Sequence, residues 1–184
     1  MKTNRYLALG LLMCLGGASF AAEHDNGVLN SAMTDPDFLM TAAGSDEFER
    51  QSGRIAVDRG QRDDVRTLGQ RLIEDHTKST QALAAAAEAA GLPMPAPVLH
   101  PGLERKLDEL TSVPPELFDH LFLQIQAETH VDARALMRTC VEVCDAEPLR
   151  QTAAKILPVI QHHLAHTLEL QRSIDENPTH DTGE

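Results

Sequence analysis

Apolar positions recur every three to four residues along most of this chain, the spacing of one face of an α-helix. No segment sustains the two-residue alternation of a half-buried strand, and β-branched residues are scattered. The pattern predicts four long helices. The first opens at Asp35, read as the N-cap, with Pro36 at the first helical position, and runs to Arg59, where Gly60 ends it. At about 100° per residue, Phe38, Ala42, Ser45, Glu49, Ser52 and Ala56 share one stripe. The second begins near Asp63 and continues through an alanine-rich stretch to Ala90, with Gly91 and Pro93 beyond it. Its stripe is Val65, Leu68, Leu72, His76, Thr80, Leu83 and Ala87.

Residues 91–114 form a long connection. Pro93, Pro95, Pro97 and Pro101 hold its first part extended, and Gly102 to Thr111 reads as a short helix. Pro114-Pro115 opens the third long helix, which reaches Cys144. Phe118, Phe122, Ile125, Thr129, Ala133, Leu136 and Cys140 line its inner face, and His130 lies on the shoulder with Asp119, Gln126 and Met137. After a turn at Asp145 to Pro148 the fourth helix runs to Ile174, with Leu149, Ile156, Ile160, His163 and Thr167 facing in. Pro158 interrupts its hydrogen-bond ladder. The bend either accommodates a bulky neighbour or aims His163, about one turn later, into the core.

Each long helix therefore carries a histidine or glutamate near its midpoint: Glu49, His76, His130 and His163. At about 1.5 Å per residue, both antiparallel pairs match in level to within roughly one turn. A connection of this length can run back along a bundle and start the second hairpin. The expected fold is all-α, an antiparallel four-helix bundle with a long crossover between the second and third long helices, the connectivity of ferritin-like folds.

The first residues change where this fold is expected to work. Lys2 and Arg5 precede an apolar run from Tyr6 to Gly17, and Ser19-Phe20-Ala21 fits a small-x-small cleavage site. Residues 1–21 read as a signal peptide cleaved after Ala21, with Ala22 as the alternative. A lipoprotein reading on Cys14 is disfavoured by the bulky Met13 before it. Residues 22–34 are a flexible polar lead, 35–174 the bundle domain and 175–184 a polar tail. The chain after cleavage, about 160 residues, suffices for one domain. It has no transmembrane segment.

Charge narrows the partners. The chain has 16 basic and 28 acidic residues. Losing Lys2 and Arg5 leaves 16 − 2 = 14 basic residues against 28, a net −14. That excludes the basic footprint of a nucleic-acid binder and disfavours docking on anionic lipid. The sequence leaves protein partners open and is compatible with a homo-oligomer. Cys140 and Cys144 survive cleavage into an oxidising compartment. They are buried small side chains, a disulfide at a frayed helix end, or a metal or redox site.

Taken together, several motifs resemble a family. Asp37-Phe38-Leu39 with Ala42-Ala43 is followed by Glu49 and Gly53-Arg54-Ile55-Ala56. Next come Asp75-His76-Thr77, Phe118-Asp119 with His130 downstream, and Leu157-Pro158 with His163-Leu164. In this order, over about residues 36–170, they resemble the exported bacterial proteins grouped as domain of unknown function four-one-four-two, of the ferritin-like superfamily. Phe122 stands where the family usually has tyrosine, and the cysteine pair lies outside its pattern. The resemblance implies a four-helix bundle and export, and no established activity.

The chemistry that the four polar residues suggest is metal binding. Carboxylate and imidazole groups projecting into a bundle core hold metals in ferritin-like proteins. The paired Glu-x-x-His motif of di-iron sites is missing: Glu74 and Glu128 each precede a histidine by two, so each points away from it. What remains is a site for one transition-metal ion (iron, zinc, copper or manganese) on Glu49, His76, His130 and His163, with Asp119 or Asp75 behind the ligands. The alternative is a non-catalytic structural or interaction module of the envelope, its polar core setting helix register. An oxygen- or peroxide-handling enzyme is a third class, weakened by the missing motif. His162 and His166 fall on the outer side of the fourth helix. No nucleophile elbow or phosphate loop is present, and no catalytic residue is assigned.

Overall fold

The first helix starts one residue earlier than its sequence suggests, and the difference ties two ends of the fold together. Thr34, not Asp35, is the N-cap: its hydroxyl accepts the Asp37 N–H, and the Asp37 carboxylate accepts the Thr34 N–H, a capping box. Asp35 is thereby freed. Its two carboxylate oxygens accept the N–H groups of Asp145 and Ala146, each at 2.9 Å, in a turn more than a hundred residues away.

The computed structural model describes residues 33–176. These form five helices: α1 (Asp35–Arg59), α2 (Asp63–Ala89), α3 (Pro101–Ser112), α4 (Pro115–Val143) and α5 (Glu147–Glu176). None of the described residues is in a strand. The expected signal peptide, most of the polar lead and the end of the tail lie outside the described residues.

α1 packs along α2 and α4 along α5; α2 also meets α5, and α1 meets α4. The α1–α2 seam is tight because two glycines face each other. A Cβ on Gly53 would lie 2.7 Å from the Gly69 carbonyl oxygen, and one on Gly69 would lie 2.7 Å from that of Gly53. Asp119, near the start of α4, accepts the N–H groups of Gln61 and Arg62 at 3.0 Å each, so α4 begins beside the α1–α2 turn. The connection from the far end of α2 has therefore travelled back along the molecule. It crosses α1 at Gly44, where a Cβ would lie 2.5 Å from the Val98 carbonyl oxygen. It is fastened at α3, where the Arg59 guanidinium donates to the carbonyls of Leu110, Thr111 and Val113 and lies 5.3 Å over the Phe118 ring.

The core is split in two. One apolar cluster gathers Phe38, Leu39, Leu83, Met137, Leu149 and Ile160; the other gathers Phe48, Leu68, Leu72, Phe118, Phe122 and Leu170. In every long helix the residues between these clusters include buried polar ones: Asp46, Glu49 and Ser52; His76 and Ser79; Gln126, Thr129 and His130; His163 and Thr167. A polar layer across a protein's centre is costly unless its groups are paired with one another or with a ligand.

Three positions depart from the helical wheels. Asp46 is buried where Ser45 was expected, Ser79 where Thr80 was expected, and Met137 where Leu136 was expected; Ser45, Thr80 and Leu136 are half-buried. Cys140 and Cys144 form a disulfide with Cα atoms 4.7 Å apart. Helix α4 ends at Val143, and Cys144 is its extended C-cap, with ψ of 136°. Its N–H still bonds the Cys140 carbonyl at 3.0 Å, and the Cα atoms lie closer than the ~6 Å expected from helix geometry at that spacing.

Candidate metal centre

The middle turns of α2, α4 and α5 bring His76, His130 and His163 to one point. One nitrogen of each ring lies within 4.8 Å of the others, and all three residues are buried. The ring centroids are 5.4 to 5.7 Å apart. Level matching between antiparallel helices thus places three of the four residues singled out in the sequence around one small volume.

What faces that volume follows from the nitrogens that do not. His76 Nδ1 lies 2.8 Å from Asp46 Oδ1. His130 Nδ1 lies 2.9 Å from the Gln126 carbonyl oxygen. His163 Nε2 lies 3.1 Å from Asp75 Oδ2. An acceptor oxygen calls for an N–H on each of these atoms, so in each neutral ring the other nitrogen holds a lone pair. Those lone-pair nitrogens are His76 Nε2, His130 Nε2 and His163 Nδ1. His76 Nε2 has no hydrogen-bond partner, and His130 Nε2 and His163 Nδ1 face each other at 3.4 Å. Acceptors behind each imidazole that fix its tautomer are the arrangement found around protein-bound metals.

Glu49 lies beside this group and not within it. It is 1% exposed, its Oε1 is 3.8 Å from His130 Nδ1, and neither oxygen makes a well-formed hydrogen bond. Burial raises its pKa, and the charge of His76 only partly offsets this. Ser52, one turn on, receives the Gln126 amide at 3.0 Å and so steadies α4 behind His130.

The three histidines titrate differently. Burial, reinforced by the charge of His76, pushes His130 down to about 3. Burial, with His130 and His76, pushes His163 down to about 4 despite Asp75. For His76, burial also pulls downward, but the hydrogen bond to Asp46 and the charges of Glu49, Asp46 and Asp75 overcome it, and its pKa is raised. Near neutral pH His130 and His163 are therefore neutral imidazoles.

Of the two expected supporting carboxylates, Asp75 holds His163, whereas Asp119 binds the α1–α2 turn at the end of the bundle, away from the histidines. Asp46 was missed: it lies three residues before Glu49, off the stripe drawn for the first helix, and its carboxylate also accepts from Thr80 at 3.1 Å. Flanked by Glu47, Glu49 and Arg50, it has no sequence cue that sets it apart from its charged neighbours. Glu74 and Glu128 are exposed and bond Gln70 and Lys106, as their spacing required. His162 is exposed, bonds Arg71 and stacks near His166, outside the buried cluster. No helix of the described residues is long and apolar enough to cross a membrane.

The fold is similar to that of a DUF305 fragment from Deinococcus radiodurans, with a TM-score of 0.64 and 17% identity, over 74% of this chain and 93% of that one. No curated protein matches the chain. The model of the domain of unknown function DUF4142 matches residues 21–170, nearly all of the bundle, so the chain belongs to the DUF4142 family.

Proposed function

We propose that this protein is an exported, ferritin-like four-helix bundle that binds one transition-metal ion in its core on His76, His130 and His163, with Glu49 as counter-charge and candidate fourth donor. The carrying observation is the convergence of three imidazole nitrogens whose partner nitrogens are each tied to a separate acceptor. A purely structural network would point protons at lone pairs. Here two lone pairs face each other, and His76 Nε2 makes no hydrogen bond. An ion at that point answers the three imidazole nitrogens at once.

Neutral imidazoles with one carboxylate suit zinc, copper, iron or manganese. Such an ion would act as a Lewis acid or redox centre when bound. The chain's own contribution is to hold the rings in fixed tautomers, keep bulk water out of the layer, and take up or release the proton on His76. Export follows from the signal-like first 21 residues, and the up-down connectivity with a returning crossover supports the ferritin-like assignment.

The test is elemental analysis of untagged full-length protein recovered from the periplasm, beside His76→Ala and His163→Ala. Near-stoichiometric metal in the wild type, lost in both variants, supports the reading. Metal-free protein that melts cooperatively and is not stabilised by added ions overturns it in favour of a structural polar core.

A further inference from the structure

The seams of the bundle are unequal. Where α1 meets α2, glycines bring backbones together. Where α2 meets α5, small side chains leave a groove with a cavity volume of about 530 Å³. That volume falls in the range of small-ligand sites. His76 and His163 form one end of the groove, and Ala82, Ala86, Ile156 and Ile160 line its apolar length. From His76 to Ala89 on α2 it extends for roughly 20 Å at 1.5 Å per residue.

Polar groups gather at the histidine end, with Gln151, Thr152 and Lys155 further along α5. Ser79, one turn from His76, is 8% exposed, lines the groove, and its hydroxyl has no hydrogen-bond partner. A buried hydroxyl without a partner is costly unless a ligand completes it. Lys78 reaches Asp75 at 2.8 Å and offsets the carboxylate behind His163. Lys155 lies on the opposite wall.

We propose that this groove binds a carboxylate with an unbranched apolar tail, a fatty-acid-like anion. Its head would ligate the metal beside His76 and His163 and accept from Ser79, and its tail would lie along the alanine wall. The inference rests on the metal reading above and adds the class of ligand. The chemistry is specific in two respects. The head must be at once a metal donor and a hydrogen-bond acceptor, which a carboxylate is. The remaining lining near the floor is apolar and elongated, which suits methylenes. Each buried CH₂ strengthens binding roughly fourfold.

The test uses full-length protein loaded with Co(II), whose visible spectrum reports its ligands, titrated with octanoate and with acetate. Octanoate should alter the spectrum at a concentration at least about tenfold below that needed for acetate. Ala82→Trp, at an exposed position on the groove wall, should remove that advantage while leaving Co(II) affinity and the acetate response unchanged. Val159→Trp, from the facing wall, should do the same and stands in if the first variant does not fold. If octanoate is no better than acetate, binds without changing the Co(II) spectrum, or keeps its advantage in the groove variants, the proposal fails while the metal site stands. If Co(II) is not taken up at all, the metal reading fails and this proposal with it.

Discussion

His130 Nε2 and His163 Nδ1 face each other at 3.4 Å in the centre of the bundle, and each ring has already committed its proton to an oxygen on its other side. The pair is a hydrogen bond only if one ring takes a second proton. Burial opposes that protonation, holding His130 to about 3 and His163 to about 4.

Acid sensitivity of the metal-free protein follows. Both histidines have folded-state pKa values depressed below the unfolded value of about 6.5. Unfolded chains therefore bind protons that the folded chain refuses, and stability is lost as pH falls from about 6.5 toward about 4. His76 acts in the opposite sense: its raised pKa stabilises the fold at low pH, an effect lost as pH rises through its folded value. Thermal melts in chelator between pH 4 and 8 should show Tm falling on the acid side. His163→Asn should flatten that fall. An acid limb identical in the variant would show that these histidines do not cause it.

Metal uptake should release protons. The raised pKa of His76 favours a proton on Nε2 that a metal ion must displace, so apparent affinity should rise with pH through the folded-state pKa of His76. Calorimetry of Zn(II) binding in buffers of different ionisation enthalpy should show proton release that diminishes as pH rises through the folded-state pKa of His76. Zero release would mean that His76 is neutral before the ion arrives.

Asp46 holds His76 from behind. Asp46→Ala should weaken metal binding about 10- to 100-fold while the bundle still folds. Asp46→Asn, which retains an acceptor oxygen, should recover part of the loss. Competition titrations against a chromogenic chelator measure both. Equal affinity in all three proteins would remove Asp46 from the site.

The glycine seam predicts a defect unrelated to metal. Gly53→Ala places a methyl 2.7 Å from the Gly69 carbonyl oxygen, and that contact is with backbone. The helices must separate, at a cost of about 1–3 kcal/mol. Denaturant unfolding of the metal-free variant should show a lower midpoint. An unchanged midpoint would mean that the seam yields more easily than its packing implies.

How much of this was readable beforehand differs between helix spans and contacts. Helix spans were legible because Pro36, Gly60, Gly91, Pro115 and Pro148 punctuate a chain with clean helical spacing. His76, His130 and His163 were legible because equal distances from the turns become equal heights in antiparallel pairs. Asp46 and Ser79 were not, since a wheel drawn as one narrow stripe omits residues that a third helix buries from the side. Asp119 was misplaced for a related reason: facing inward says nothing about height, and it lies at the end of the bundle. The disulfide was one of three readings that the spacing of Cys140 and Cys144 leaves open.

The returning connection has one more consequence. His76 comes from the hairpin before it, and His130 and His163 from the hairpin after it, so neither half of the molecule owns a complete binding set. The cluster exists only when the halves have docked in the correct register. A slip of one turn along either seam would carry a histidine about 5 Å out of reach. The cluster thus reports on assembly: three imidazoles meet at one point only in a chain whose two halves have come together in the right alignment.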